Sequence, residues 1–329
     1  MPRMWIIACI YLITGCAAQS GPGILTTMGS KIKGEYYLQE GKYDQAVAEF
    51  QERVTQNPSD AVAHYYLGRF YLIQKKPAPA VEQLSQSVSL APDQADHHFW
   101  LGMAYAEAKE PALERDCYVR ALSVDKHHGQ ALLFLSHNRM KAREYEAALD
   151  GYTRLLEMVP DNPQALYNRA LILRTLGRTS EANGAWKAYI DHYPSGGFSR
   201  QAADFLNEGR DFTYQNHRIG KRIRTLKQVI FDPETLAVQK ESLPSLTLLG
   251  RFLTDNPGTV LHVVVYEKNA PALSEKKAKA VKKALLSTHP RLPAGQIRIS
   301  WFGTAGRVKV NDRIIPADHL VHFFTLDTP

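Results

Sequence analysis

Residues 61–94 read AVAHYYLGRFYLIQKKPAPAVEQLSQSVSLAPDQ, and the pattern of that stretch returns every 34 residues between Thr27 and Pro194. Pro58, Pro92, Pro160 and Pro194 share one position of the period, Ala46, Ala80, Ala148 and Ala182 a second, and Phe50, Leu84, Tyr118, Tyr152 and Trp186 a third. Earlier in each unit Gly34, Gly68, Gly102, Ser136 and Ala170 are followed three residues later by Tyr37, Tyr71, Tyr105, Arg139 and Leu173. The third unit departs twice, with Glu114 in the alanine row and Lys126 in the proline row. Two helices pack closely where a small side chain on one admits a large one from the other, and a proline then stops the second helix. One such hairpin cannot bury its own apolar face, so the period predicts five stacked units over residues 27–210, closed by an amphipathic, solvent-facing capping helix at Phe198–Arg210.

Working outward toward the C-terminus, Ser195-Gly196-Gly197 breaks the array, and a basic stretch that includes His217, Arg218, Lys221, Arg222, Arg224 and Lys227 follows, read as a linker over residues 211–224. The periodicity then changes. Short strands are expected at Gln228–Phe231, Val260–Tyr266, Ile297–Trp301 and Leu320–Leu326, and helices at Ser242–Asn256 and Ser274–Ser287. The second helix would turn Ala278, Val281 and Leu285 inward and Lys276, Lys279 and Lys283 outward. A βαβαββ order over residues 225–329 implies a small two-layer α/β sandwich.

At the other end, Arg3 precedes the apolar run Met4–Ile13, which is too short to span a bilayer, and Thr14-Gly15-Cys16 follows. This makes residues 1–15 a secretory signal and residues 16–26 a flexible tether rich in small side chains.

Three resemblances come out of these residues. The period with its small, aromatic, alanine and proline rows resembles the tetratricopeptide repeat, which implies an all-α superhelix of five repeats plus a capping helix. Ile13-Thr14-Gly15-Cys16 resembles a bacterial lipobox, which implies cleavage before Cys16 and lipidation of its thiol, and Ala17 after it fits sorting to the outer membrane. Phe231, Leu243 to Leu253, the VLHVVVY strand, Leu273-Ser274-x-x-Lys277-Ala278 and Phe302-Gly303-Thr304-Ala305-Gly306 resemble the OmpA-like domain. In that family an aspartate and an arginine grip the diaminopimelate of peptidoglycan. The corresponding loop here, residues 267–272, offers Glu267 and no aspartate, and the arginine position is Lys277. A lysine does not reproduce a bidentate guanidinium.

Tetratricopeptide repeats usually hold partners on the face lined by the first helix of each unit. That rule assigns a protein-binding groove to Tyr65, Arg69, Phe99, Met103, His137 and Tyr167, an aromatic and apolar stripe suited to an apolar or amphipathic segment. A separate peptidoglycan or anion site falls on Glu267, Lys276, Lys277, Lys279 and Lys283.

Composition narrows the function further. The net charge of +7 is concentrated in residues 211–329, which hold 18 Lys and Arg against 10 Asp and Glu, so an anionic partner meets that half. Of three cysteines only Cys117 would remain a thiol in the mature chain, so no internal disulfide forms. The pairs His97-His98 and His127-His128 lack the companions of a metal site, and no phosphate loop, nucleophile elbow or HExxH motif occurs. Neither cofactor nor metal nor nucleic acid is expected, and no enzyme activity. The resemblances together imply a bacterial envelope lipoprotein, periplasm-facing and anchored in the outer membrane. Its expected work is that of an interaction scaffold or assembly factor for a pilus, secretion or other envelope machine. The alternative is a cell-wall tether acting through the C-terminal domain.

Overall fold

The computed structural model describes residues 22–326, with the side chains of residues 22–26 outside the description. Eleven helices come first: α1 (Pro22–Glu40), α2 (Tyr43–Gln56), α3 (Ala61–Ile73), α4 (Pro77–Leu90), α5 (Ala95–Glu107), α6 (Pro111–Val124), α7 (Gly129–Lys141), α8 (Tyr145–Met158), α9 (Pro163–Thr175), α10 (Thr179–His192) and α11 (Gly197–Glu208). The first ten are the five expected helix pairs, and α11 is the expected single helix after them. Helix α1 begins at Pro22, inside the span expected to be tether. Proline at a first helical turn costs no hydrogen bond, because that amide has no partner there anyway.

The proline rows end the helices as expected. Pro58, Pro92, Pro160 and Pro194 each follow a helix end by two residues. Where Lys126 stands instead, α6 still stops, its capping Asp125 accepting the His127 amide at 2.9 Å. The turn inside each pair carries one left-handed residue, and these fall on the same period: Gly41 (φ 67°), Lys75 (56°), Lys109 (62°), Arg143 (62°) and Gly177 (72°). Such a residue closes a helix C-terminus by returning amides to its last carbonyls, as Lys76 N does to Tyr71 O at 2.9 Å.

Packing divides the chain into two units, one ending at Asn138 and one beginning at Arg139, not at the change of pattern near residue 210. In the first unit the small-to-large contacts are those the period requires. A Cβ on Gly68 would lie 2.5 Å from Leu84 Cγ, and one on Gly102 would lie 2.5 Å from Tyr118 Cε1. Gly34 differs: it meets the ring of Tyr66 in the next pair, where a Cβ would come within 2.3 Å. Phe50, Phe70, Leu84, Ala80 and Ala104 are fully buried around these contacts.

The second unit contains the sheet, of strand order β2-β1-β7-β3-β4, built from β1 (Tyr214–Ile219), β2 (Arg222–Lys227), β3 (Val260–Glu267), β4 (Ile297–Phe302) and β7 (His319–Leu326). β3 runs antiparallel to β7 and parallel to β4, and β1 pairs antiparallel with β2. β5 (Gly306–Val310) and β6 (Arg313–Ala317) form a separate hairpin. Leu246, Leu249 and Leu253 of α12 (Leu243–Asp255) and Ala278, Val281 and Leu285 of α13 (Pro271–Thr288) are fully buried against Leu261, Val263 and Val265 of β3. The inward face expected for the second helix of this region is the one observed.

Three expectations fail here. The basic stretch read as a linker is the β1–β2 hairpin, turning at Gly220 (φ 57°). Gln228–Phe231 is not a ladder strand, and only Phe231 makes an isolated bridge, to Val238. The capping helix α11 does not face solvent alone: Ala202, Ala203 and Leu206 are fully buried, and Asn216 of β1 donates to Asp204 at 2.9 Å and to the Arg200 carbonyl at 3.0 Å. Helices thus cover both faces near β1, since Asn216 and the core residue His217 point to opposite sides of the strand. The second helix of repeat four and all of repeat five share this unit with the sheet, which is why the packing boundary precedes the change of pattern.

Candidate functional site

Of the six residues assigned to a binding groove, two are buried in the interior. Phe99 is 2% exposed, its ring among Tyr118, Trp100, His128 and Phe134 at 5.3–5.8 Å. Tyr65 is also buried. It stacks on His97 at 4.7 Å, and burial raises its hydroxyl pKa to about 12. Both are interior residues and leave the binding assignment, because on each first helix the position facing the neighbouring pair is one that sequence spacing places in the groove. Met103 is half-buried and accepts the Tyr118 hydroxyl at 3.4 Å. His137 is half-buried beside Phe134. In the second unit, half-buried Tyr167 packs on Trp186, Tyr189 and Phe198 and donates to Gln201 of α11 at 2.7 Å.

Arg69 remains, and it organises a platform that spacing did not reveal. Its guanidinium carbon sits 4.4 Å from the Trp100 ring, 5.1 Å from Tyr65 and 5.5 Å from Tyr66, while Nη1 donates to the Tyr65 hydroxyl at 3.2 Å. Nε is buried with no hydrogen-bond partner among the described residues. The Tyr66 hydroxyl donates to Glu35 at 2.5 Å. Next to this cluster in sequence, Asp96 pairs with His128 at 3.1 Å. That hydrogen bond raises the His128 pKa and lowers that of Asp96, so the two shifts agree. The half-buried surface of this unit therefore combines one arginine with aromatic rings and the nearby acids Glu35 and Asp96, rather than being plainly apolar. Arginine over aromatic rings keeps free N–H groups for an acceptor while its stem and plane stay packed.

In the second unit Glu267 and Lys277 converge as the sequence suggested, and a third group joins them. Glu267 ends β3 and His319 opens β7, and the two are register partners across the antiparallel ladder. Lys277, in the second turn of α13, bonds one oxygen of Glu267, and His319 Nδ1 bonds the other. The Glu267 side chain is 3% exposed and that of Lys277 16%, with the ammonium 5.1 Å from the Phe231 ring, whereas His319 is 68% exposed. The remaining lysines separate. Lys282 turns inward to the Ile297 carbonyl at 2.8 Å. Lys276, Lys279 and Lys283 line an open cavity of about 660 Å³ whose apolar side is Leu236, Val238 and Leu243. The five-residue anion site is thus two places: a neutralised, mostly buried cluster and a lysine-rimmed apolar groove.

Cys117 is buried, and desolvation pushes its thiol up to about 12, the opposite of a nucleophile's environment. Among the described residues no three metal-ligating side chains gather, and no helix is long and apolar enough to cross a membrane. Cys16 and the signal lie outside the described residues.

Residues 37–107 and 133–196 match family models described as tetratricopeptide repeat, so the helical region carries these repeats. No curated protein matches the chain in sequence. Among solved structures it is similar to PilF of Pseudomonas aeruginosa, 15% identical over 58% of this chain and 88% of that one with a TM-score of 0.52, a likeness of fold. PilW, described as a widely conserved type IV pilus biogenesis factor, is 20% identical over 57% of this chain and 88% of its own, with a TM-score of 0.48. MamA is 22% identical over 51% and 91%, with a TM-score of 0.47.

Proposed function

We propose that this protein is a non-enzymatic scaffold that holds a protein partner through the platform around Arg69. The observation that carries the reading is a half-buried guanidinium fixed over Trp100 and Tyr65. Arginine and tryptophan in a fixed, partly desolvated setting are the side chains that dominate protein interfaces. The platform suits a partner segment that brings a carboxylate or carbonyl to the arginine and an apolar group to the indole. A bacterial envelope setting, with the chain anchored at the outer membrane through lipid on Cys16 and serving assembly of a pilus or secretion machine, is the context we infer from the lipobox-like start and the tetratricopeptide repeats. In-cell cross-linking from a photoreactive residue at position 103 tests it. The adducts should fall about tenfold in an Arg69→Ala, Trp100→Ala double variant that keeps its helical circular dichroism. Unchanged adducts would remove the platform from the reading. A palmitate analogue fed to the same cells should label the wild type, and label on a Cys16→Ser chain would refute the anchor.

One observation favours a second reading, a peptidoglycan tether: the acid, lysine and histidine meet at one end of β3. Against it, Glu267 and Lys277 already neutralise each other, and a buried, satisfied carboxylate has little to offer a ligand amine. Co-sedimentation of the full chain with isolated sacculi, lost in Lys277→Ala, would restore the tether.

A further inference from the structure

β2 stands at one end of the strand order, so one of its edges has no strand beside it. Successive residues of an antiparallel strand send their backbone groups alternately to the two edges. The amide of Lys227 leaves the sheet to bond Oγ of Ser245 at 2.9 Å, which identifies it as an outer-edge residue. Two and four residues back along the strand, Thr225 and Ile223 point their amides and carbonyls to that same side; Thr225 is buried there, and Ile223, 51% exposed, is where the edge opens.

Beside this edge lies a cavity of about 500 Å³, with Arg200 of α11 on one side and Lys221, Arg222, Ile223 and Arg224 on the other. Arg200, Lys221 and Arg222 are exposed and Arg224 is half-buried. Among the described residues none of the four cations has an ion-pair partner within 4.0 Å; Asp204, the acid whose field reaches Arg200, is hydrogen-bonded to Asn216. Ile223, 51% exposed, adds an apolar contact at the same edge. Basic side chains on an edge strand commonly keep other strands away by repulsion. Four unpaired cations around a cavity beside the exposed end of this edge go further, since they repel basic strands and favour an acidic one.

We propose that the outer edge of β2 is a docking site for an extended acidic segment of a partner protein. The segment adds to the sheet as a further strand. Its backbone begins to pair at Ile223, and its carboxylates reach Arg200, Lys221, Arg222 and Arg224. A lipid or nucleotide phosphate would use the cations but leave the repeating amide and carbonyl groups idle, which is why a peptide is the better fit. This surface is separate from the Arg69 platform, and the proposal stands or falls without it.

The test is fluorescence anisotropy on the full chain with a short labelled peptide of alternating glutamate and valine, at physiological salt. Saturable binding is expected, weakened about tenfold by Arg200→Glu and by the pair Arg222→Glu, Arg224→Glu. Arg200 lies on a helix surface, so its variant does not depend on hairpin folding. The same peptide with its alternate amides N-methylated keeps every carboxylate but cannot pair with a strand, and should bind at least about tenfold more weakly. Equal binding of the methylated peptide, or of vesicles containing phosphatidylglycerol, would make the edge a general anionic surface and overturn the proposal. So would an Arg200→Glu chain that binds as the wild type does, or absence of binding to the unmethylated peptide.

Discussion

The first unit and the sheet of the second unit bury different chemistry. In the helical unit ending at Asn138 many of the large interior groups are rings: Phe50, Phe70, Phe99, Tyr66 and Tyr118 are each at most 2% exposed, and Tyr66 and Tyr118 press on glycine. In the sheet the apolar interior is mainly aliphatic, and beside it sit a carboxylate, a lysine and a fully buried imidazole, Glu267, Lys277 and His217. Ring packing between neighbouring helices is satisfied locally and can be repeated. Buried charge must be answered by one particular partner, here brought from 10 and 52 residues away. Truncating one of these rings therefore costs packing, whereas removing Glu267 or Lys277 costs desolvation without compensation.

The largest effect expected from this contrast is at Phe99. Phe99→Ala leaves a cavity among Trp100, Tyr118, His128 and Phe134 and should destabilise the first unit by about 4 kcal/mol in denaturant unfolding. A loss under about 1 kcal/mol would return Phe99 to the surface and to the binding groove. Next comes Glu267→Ala, which strands Lys277 beside Phe231 with no acid. The expected cost is about 3 kcal/mol, and replacing both members of the pair with apolar residues should recover much of it. If the single and double variants lose equally, the interior of the sheet is governed by packing as well, and the contrast disappears.

The two regions also differed in how much the sequence disclosed. Gly68 with Leu84 and Gly102 with Tyr118 were legible because helical contacts recur at a fixed spacing and leave a period behind. The left-handed row at Gly41, Lys75, Lys109, Arg143 and Gly177 follows the same period but was missed, because three of its five members are basic residues rather than glycine. Tyr65 and Phe99 were misplaced for a related reason: spacing says which residues share a helix face, but not which part of that face the next helix covers. In the sheet, α12, α13, β3, β4 and β7 carried clear apolar patterns. The β1–β2 hairpin did not, since Arg218, Lys221 and Arg222 are exposed and charge hides alternation at an edge. Glu267 and Lys277 were found by resemblance to a family, and His319 was missed because nothing local marks a residue as the register partner of another so distant in sequence.

The smallest effect separates the regions by pH. His217 is 2% exposed and accepts the Phe323 amide at 3.2 Å, and burial pushes its pKa down to about 3. Its folded value lies below the unfolded value near 6.5, so its stabilising contribution is complete above about pH 6.5 and is lost as pH falls toward 3. His322, beside it, is shifted in the same direction by burial. In the first unit, burial lowers His97 while the bond to Asp96 raises His128, and these oppose each other: the His128 contribution is present in acid and lost as pH rises through its raised value. Between pH 6 and pH 4, amide exchange should therefore show β3 and β7 losing protection by about 1 kcal/mol per pH unit for His217, while α3 and α5 change less. His217→Gln removes the proton linkage and should flatten that slope in the sheet. An equally steep slope in the variant would mean that carboxylates, not the buried imidazole, set the acid sensitivity of the second unit.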